Sequence, residues 1–254
     1  MVKRVWCTGA EKGLGRLIVL KLAAEGHHVA CSARTAQDLE PVIEEAVTLP
    51  GKLVPFVLDV TDQDDVFMTV DGIEAALGDL DLVILNIGTR IAVDASSLSI
   101  HAFRDVMETN FMGVVYGLAA LLPRFVERGH GHVAVVTSVV GYRGLPQAAA
   151  YGASNAALVN MCEALKPELD EAGVTISVVN SGFLKTPLTD RNKFRMPFLM
   201  DVEDAAKQVV RGLDTARFEI AVPKRHTWMM KVLRCLPSRL AFLIAQKIAS
   251  KTPS

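Results

Sequence analysis

Short apolar segments rich in β-branched residues alternate along this chain with longer segments of helical periodicity. The segments with the composition of strands are Lys3–Thr8, His28–Ser32, Leu53–Leu58, Leu82–Leu85, His132–Thr137, Thr175–Asn180 and Glu219–Val222. The amphipathic segments between them predict helices at Leu14–Glu25, Gln37–Thr48, Gln63–Leu77, Ile100–Glu127 and Gly152–Glu171. Strands that are apolar throughout and joined by helices form parallel sheets covered on both faces. The alternation therefore predicts a single doubly wound α/β domain over residues 1–222, with a parallel sheet of about seven strands.

Composition limits the functional classes. The chain has 254 residues, of which 50% are hydrophobic, enough for one domain with a deep core. With 22% charged residues and a net charge of −1, we expect no nucleic-acid partner. The four cysteines have no CxxC spacing, which predicts buried reduced thiols and no metal site. The first residues enter a strand without a signal-like segment, and no apolar run approaches the roughly eighteen residues that span a bilayer, so we expect a cytoplasmic protein.

A glycine-rich turn follows the first predicted strand. It reads Thr8-Gly9-Ala10-Glu11-Lys12-Gly13-Leu14-Gly15 and leads directly into a predicted helix. Glycines at such a junction allow a tight turn, let the backbone approach a pyrophosphate, and let the helix pack on the strand. The N–H groups and the positive dipole end of the helix then face the phosphates. The turn therefore predicts a Rossmann-type dinucleotide site.

Two basic residues flank this turn. Lys12 lies within it, and Arg34 follows the second predicted strand. An acidic residue at the end of that strand would bind the ribose hydroxyls of NAD, and the strand ends in Cys31-Ser32-Ala33-Arg34 without one. An arginine instead accommodates the 2′-phosphate of NADP through its charge and its planar set of donors. Lys12 and Arg34 therefore predict that NADP(H) is preferred over NAD(H).

Further motifs follow in a recognisable order. They are Asp59-Val60 after the third strand, Asn86-Ile87-Gly88 after the fourth, Asn110 in the long helix, and the pair Ser138 and Tyr151. With the motif Thr8-Gly9-(x3)-Gly13-Leu14-Gly15, the chain resembles the short-chain dehydrogenase/reductase family in its single-domain form. The resemblance covers about residues 1–222. It implies a Rossmann fold and an oxidoreductase that interconverts a carbonyl and a hydroxyl with a nicotinamide cofactor.

The resemblance also implies roles for these residues. Ser138 and Tyr151 hold the carbonyl oxygen and Tyr151 donates the proton, whereas Asn110 and Asn155 occupy supporting places in the catalytic site. The cofactor-binding residues are Thr8, Gly9, Lys12, Gly13, Leu14, Gly15, Arg34, Asp59, Val60, Asn86, Gly88, Tyr151, Asn155 and Thr186.

The chain departs from the family pattern most clearly at Asn155, four residues after Tyr151, where the family has a lysine. Two milder departures are Ser181-Gly182 in place of Pro-Gly, and the larger Ile87 in place of alanine. The family lysine lowers the tyrosine pKa, ordinarily near 10, and holds the nicotinamide ribose. Asn155 can bind a ribose hydroxyl but supplies no charge. At about 4 Å and an effective dielectric near 20, the lost interaction is about 4 kcal/mol.

Two functional hypotheses follow. The first is an NADP(H)-dependent oxidoreductase with slower or altered proton chemistry, acting on a small molecule. The second is a cofactor-binding relative that serves as a sensor or scaffold without turnover. Another cation near the site would favour the first hypothesis, and the sequence offers Lys185 and Arg143 as candidates. Lys166 is excluded, because it lies about 16 Å along the helix from Asn155.

The remaining segments concern the substrate and partners. The resemblance implies that residues 183–205 form a lid over the substrate. Its Phe194, Met196, Phe198, Leu199 and Met200 favour an apolar substrate, although these side chains could equally pack the lid on the body. The segments Ile100–Glu127 and Gly152–Glu171 resemble the helices by which family members form dimers and tetramers, which implies a homodimer or homotetramer. Their small and apolar residues would allow close helix contact; they are Ala119, Ala120, Ala156, Ala157, Met161 and Ala164.

Residues 223–254 are predicted to form a basic, amphipathic helical extension. Of the 27 lysines and arginines seven lie there, with no aspartate or glutamate, which leaves 20 basic against 28 acidic residues in the rest of the chain. Pro237 separates two helix-like segments. Such helices can lie in a membrane interface, or pack on the acidic body or a partner subunit. Both alternatives remain open at this point.

Overall fold

A computed structural model describes residues 1–185 and 198–249, with side chains as far as residue 244. Its strands are β1 Arg4–Thr8, β2 His28–Ala33, β3 Lys52–Val57, β4 Leu82–Leu85, β5 Gly131–Ser138, β6 Val174–Ser181 and β7 Glu219–Val222. They form a seven-stranded sheet in the order β3-β2-β1-β4-β5-β6-β7, and every neighbouring pair is parallel. The predicted doubly wound α/β fold is confirmed.

The winding reverses between β1 and β4, which are neighbours in the sheet although two strands separate them in sequence. Ligands of doubly wound sheets bind outside the carboxyl ends of the strands at this reversal. In this chain, the residues at that edge are the glycine turn after β1 and the segment that begins at Asn86 after β4.

Apart from the helix Val202–Leu213, which was not predicted, the helices lie where the sequence predicts them, although the long segment Ile100–Glu127 is divided. They are α1 Gly13–Ala24, α2 Ala36–Ala46, α3 Gln63–Leu77, α4 Ile100–Met107, α5 Gly113–Arg128, α6 Ala149–Glu171, α7 Val202–Leu213, α8 Lys224–Cys235 and α9 Ser238–Ala249. Polar side chains fix several of their starts. The Asp62 carboxylate accepts the N–H groups of Asp64 and Asp65 at α3, and the Thr35 hydroxyl accepts that of Asp38 at α2.

The core has two layers, one on each face of the sheet. One cluster joins β1 and β2 to α1, α2 and α7, and it includes Ile18, Val42 and Val209. The other joins β4, β5 and β6 to α3, α5 and α6, and it includes the fully buried Trp6 and Phe125. Helices on both faces explain why the strands are apolar throughout.

The segment predicted as one helix over Ile100–Glu127 is divided by a π-helical turn, Glu108–Met112. The whole run Ile100–Arg128 is 29 residues long and apolar enough by composition to cross a bilayer. That finding corrects the expectation that no segment reaches this length. Leu118, Leu121 and Phe125 of the run are buried in the core beside the sheet, so packing against the sheet accounts for its apolar face.

Three of the cysteines, Cys7, Cys31 and Cys162, are buried free thiols, as predicted. Cys235 is exposed at the end of α8, which corrects the expectation for that residue. The sequence did not reveal this because several apolar residues of α8, such as Trp228 and Val232, are themselves exposed, so an apolar neighbourhood there does not indicate burial.

Candidate functional site

The glycine turn after β1 is anchored to the end of β4. The Thr8 hydroxyl accepts the backbone N–H of Asn86 at 2.9 Å, and the Asn86 side-chain amide donates to the carbonyl of Gly9 at 3.0 Å. A Cβ on Gly9 would lie 2.3 Å from the Asn86 carbonyl oxygen, and a Cβ on Gly15 would lie 2.1 Å from the Gly9 carbonyl oxygen. Gly9 and Gly13 also have positive φ angles of 60° and 56°. Close approach and backbone conformation therefore both require glycine in this turn.

A cavity of about 960 Å³ opens along the carboxyl edge of the sheet. The predicted site residues that line it are Gly9, Lys12, Gly13, Leu14, Arg34, Asp59, Val60, Asn86, Gly88, Asn110, Ser138, Tyr151 and Asn155. Thr8 is buried and Gly15 packs against the turn, so these two residues support the cavity wall from behind. Thr186 lies outside the described residues. Parallel topology thus brings residues far apart in sequence to one edge of the sheet.

The end of the cavity next to α2 carries mixed charge. The Lys12 side chain is 79% exposed and its ammonium lies 3.2 Å from a carboxylate oxygen of Glu11. Hydrogen bonds from Thr61 lower the pKa of Asp59, and the charge of Arg34 lowers it further. Asp38, in the first turn of α2, also lines the cavity. Glu11 and Asp38 were not predicted to contribute here, because the prediction of cofactor preference used only the end of β2 and the nearby basic residues.

The predicted catalytic pair, Ser138 and Tyr151, lies at the other end of the cavity. Ser138 ends β5 and Tyr151 lies in the first turns of α6. Burial raises the pKa of the Tyr151 phenol above its ordinary value, whereas the Ser138 hydrogen bond, the charge of Arg90 and the Asn155 hydrogen bond oppose that rise. The arrangement is a phenol and a hydroxyl in mutual contact, facing the cavity that the glycine turn also lines.

Asn155 is buried, and its side chain both accepts and donates a hydrogen bond, whereas a lysine can only donate. Its Oδ1 accepts the backbone N–H of Ser138 at 2.7 Å. Its Nδ2 donates to the carbonyl of Tyr151 at 2.9 Å. From the sequence, Asn155 was expected to bind the nicotinamide ribose. The structure adds a role that depends on tertiary contact, because Asn155 connects the end of β5 to α6.

The Asn110 side chain forms a second set of hydrogen bonds between segments of the site. It lies in the π-helical turn, and such turns often mark functional sites. Its Oδ1 accepts the N–H of Thr89 at 2.7 Å, and its Nδ2 donates to the Thr89 carbonyl at 2.9 Å and to the Ser154 hydroxyl at 3.1 Å. Ser154 in turn donates to the Tyr151 carbonyl at 2.9 Å. Asn110 therefore couples the segment after β4 to the turn of α6 that carries Tyr151.

Neither of the candidate cations from the sequence faces the tyrosine. Lys185 pairs with Asp201 at 3.1 Å, and both side chains are more than half exposed. The guanidinium of Arg143 lies 5.5 Å from the ring centre of Phe242. Arg90 does line the cavity with Tyr151, and its charge acts on the phenol. Its only sequence signal was its position four residues after Asn86, close to the carboxyl end of β4.

The region predicted as a lid is described only in part, since Phe194 and Met196 lie outside the described residues. Phe198 and Leu199 are 45% and 40% exposed. The ring of Phe198 lies 6.1 Å from that of His226, and His226 lies 5.0 Å from Phe183, a residue of the cavity wall. Helix α8 thus reaches the edge of the cavity. Within residues 1–185 and 198–249, no group of three His, Cys, Asp or Glu side chains could hold a metal ion.

Comparison with known proteins agrees with this geometry. Residues 3–195 match the family model of the short chain dehydrogenase. An uncharacterized oxidoreductase of Myxococcus xanthus is 35% identical over 241 residues, which cover 95% of each chain. A short-chain dehydrogenase from Streptomyces avermitilis has the same fold over 100% of both chains, with a TM-score of 0.82 and 23% identity. The NADP-bound structure of ElxO covers 87% of this chain and 98% of its own, with a TM-score of 0.78 and 21% identity. The match of the family model and the identity to the Myxococcus protein show that this chain belongs to the short-chain dehydrogenase family.

Proposed function

We propose that this protein is an NADP(H)-dependent oxidoreductase that interconverts a carbonyl and a hydroxyl on an apolar small molecule. The observation that carries the proposal is the shared cavity. Ser138 and Tyr151 line one end, and the glycine turn lines the other. A proton donor and a dinucleotide cradle in one cavity are the two parts that such a reaction needs.

The residues present fit a dinucleotide. A Cβ at Gly9 or Gly15 would lie within 2.3 Å of a backbone oxygen, so glycine at both positions lets the turn pack tightly between the end of β4 and α1, as in dinucleotide-binding turns. No side chain caps the start of α1, which leaves its first N–H groups available to phosphate oxygens. Lys12 and Arg34 would contact the 2′-phosphate. Asp38 and Glu11 add negative charge nearby, so the preference for NADP(H) depends on which charges face the ribose.

In the proposed reaction, the cofactor supplies the hydride and the protein supplies the hydrogen bond and the proton. When bound, the nicotinamide supplies the hydride in reduction and takes it up in oxidation. The Ser138 hydroxyl donates to the substrate oxygen and polarises the carbonyl. As the carbonyl carbon gains a hydride, its oxygen takes the proton of Tyr151, and solvent returns a proton to the phenolate. In oxidation each of these steps is reversed.

Arg90 supplies the positive charge that Asn155 lacks. Its charge lowers the Tyr151 pKa against the effect of burial, which is the electrostatic role of the family lysine. Asn110 holds the backbone of Thr89, the residue before Arg90, through two hydrogen bonds. Asn155 then serves a separate purpose, since it orients Ser138 and Tyr151 relative to each other.

The proposal extends to quaternary structure and location. We expect a homodimer or homotetramer in the cytoplasm. Ala119, Ala156 and Ala164 lie exposed on α5 and α6, where small residues allow close helix contact, whereas Ala120 faces the core. Sedimentation velocity of the full chain measures this directly. A monomer at micromolar concentration would contradict it.

The first experiment is a fluorescence titration of the purified protein with NADPH and, separately, with NADH. We expect tight NADPH binding, and then hydride transfer to apolar ketones or aldehydes that Tyr151→Phe abolishes. No binding of either cofactor would overturn the proposal. Cofactor binding without Tyr151-dependent turnover across the panel would favour the sensor or scaffold hypothesis instead.

A further inference from the structure

Helices α8 and α9 present a surface of exposed apolar side chains, here called the tail surface. Its apolar members, with their exposed fractions, are Trp228 at 70%, Val232 at 41%, Leu240 at 51%, Phe242 at 61%, Leu243 at 55% and Ile244 at 38%. Single exposed apolar residues are ordinary, but a group of this size on two successive helices indicates an interaction site.

The tail surface is anchored on its other side. His226, Thr227 and Met230 of α8 and Ala241 of α9 are buried. Lys231 forms an ion pair with Glu219 of β7. The helices therefore have a fixed inner face and an outer face that the protein itself leaves uncovered.

Basic side chains border the apolar group. Lys224, Arg225, Arg234 and Arg239 are exposed. None of them takes part in an ion pair among the described residues. Residues 223–254 contain no aspartate or glutamate, although the rest of the chain is net acidic. A concentrated positive charge beside apolar side chains is complementary to an anionic, amphiphilic partner.

An apolar groove lies at the edge of this surface. Its walls are Phe198, Trp228 and Met229, with Lys224 and Arg225 beside them. Apolar walls suit an acyl chain, and the two cations suit a phosphate or carboxylate headgroup. An exposed tryptophan next to basic residues is typical of a side chain that lies at the level of lipid headgroups.

We propose that the tail surface binds the interface of an anionic lipid bilayer, with Trp228 and Phe242 among the acyl chains and the basic side chains against the headgroups. The proposal does not depend on the proposed reaction. Each lysine or arginine near an anionic surface strengthens binding by about 1 kcal/mol, or about fivefold. The bordering cations and the apolar group together therefore supply the two kinds of attraction that stable interfacial binding requires.

The two tryptophans make a direct test available. Trp6 is 1% exposed and Trp228 is 70% exposed, so a change in emission on adding vesicles reports Trp228. With the full chain, we expect a blue shift and co-sedimentation with vesicles of phosphatidylcholine and phosphatidylserine, and little of either with phosphatidylcholine alone. Trp228→Phe removes the shift and keeps most of the co-sedimentation, because phenylalanine still supplies an apolar ring.

Charge-reversal variants distinguish binding by the basic side chains of the tail surface from an effect of net charge on the whole protein. The double variant Lys224→Glu/Arg225→Glu should weaken vesicle binding by about 25-fold or more, since two contributions of about fivefold are lost. Its matched control is Lys52→Glu/Lys207→Glu, which changes net charge equally at exposed sites on β3 and α7 and should bind within about twofold of wild type.

Three results would overturn the proposal. The first is no shift and no co-sedimentation with either vesicle. The second is equal weakening by both double variants. The third is vesicle-independent self-association that Trp228→Glu abolishes, which would assign the tail surface to a second copy of the chain.

Discussion

The backbone N–H of Ser138 donates to the Oδ1 of Asn155 across 2.7 Å, although 17 residues separate them in sequence. A lysine has donors only and could not accept this bond. Asn155 therefore connects the end of β5 to α6 in a way that a lysine at this position could not.

Asn155→Ala should destabilise the fold. It leaves the buried N–H of Ser138 without an acceptor, which costs about 1–3 kcal/mol in the free energy of unfolding. Urea denaturation measures the change. The matched control is Asn160→Ala, the same substitution at an exposed position of α6, which should change stability by less than about 0.5 kcal/mol. Equal effects of the two substitutions would show that the contact with Ser138 contributes nothing.

Arg90→Ala should shift the pH profile of the oxidation reaction. Tyr151 must be deprotonated to accept the substrate proton, and the charge of Arg90 lowers the Tyr151 pKa. Removing that charge raises the pKa, so the rising limb of kcat/KM moves to higher pH. Arg90→Lys keeps a positive charge and should restore most of the profile.

Lys185→Ala and Arg143→Ala are the controls for this experiment, because these cations pair with Asp201 and lie over Phe242 respectively. Neither control variant should shift the rising limb of the pH profile of kcat/KM. The role assigned to Arg90 would be refuted if either control shifted this limb as much as Arg90→Ala does, or if Arg90→Ala did not shift it.

Arg34→Ala should weaken NADPH binding and spare NADH. A charge-assisted bond to the 2′-phosphate contributes about 1.5–3 kcal/mol, so we expect a loss of about tenfold or more in NADPH affinity. NADH affinity should change by less than about twofold. Arg211→Ala, at an exposed position of α7, controls for net charge. Parallel loss of both cofactors would mean that Arg34 contributes to folding or to general charge.

Stability should fall in mild acid because of a buried histidine. Burial lowers the pKa of His226 to about 4, from an ordinary value of 6.5. Above pH 6.5 the side chain is neutral in both states. As pH falls from 6.5 to about 4 the unfolded chain binds a proton that the folded chain does not, so stability decreases. Between pH 6.5 and about 4, the free energy of unfolding should decrease by up to about 3 kcal/mol.

The comparison variant is His226→Leu, which removes the titrating group and keeps an apolar side chain. The difference in unfolding free energy between wild type and variant, followed from pH 7 to pH 4, isolates the contribution of His226. Parallel curves would contradict the assignment and point to other groups, such as His132, whose pKa burial also lowers to about 4.

The fold could be predicted from the sequence because its signals are local. Leu82–Leu85 and Gln63–Leu77 have the predicted bounds, since one is an uninterrupted apolar run and the other begins at the capping Asp62. The division of the long helix at Glu108–Met112 was not predictable, because the apolar periodicity continues through it. The hydrogen bonds of the Asn110 side chain to Thr89 and Ser154, which accompany the π-helical turn, depend on tertiary structure and cannot be read from the sequence.

The candidate site could be predicted only where motifs specify it. Ser138, Tyr151 and the glycine turn were identified because their spacing is distinctive. Arg90 was missed, and Lys185 and Arg143 were preferred, because closeness along the chain to a motif does not tell which way a side chain points. The acceptor role of Asn155 was missed for a related reason, since it depends on the packing of α6 against the end of β5.

The contact between His226 and Gly182 has a practical consequence for anyone who shortens this protein. A Cβ on Gly182 would lie 2.5 Å from the imidazole Nδ1 of His226, so α8 fills the space directly above the end of β6. The same imidazole lies against Phe183. A truncation after Val222, designed to improve expression or crystallisation, would remove the support that His226 gives to Gly182 and Phe183, two residues that line the cavity. Loss of activity in such a truncated protein would therefore not show that α8 takes part in the reaction.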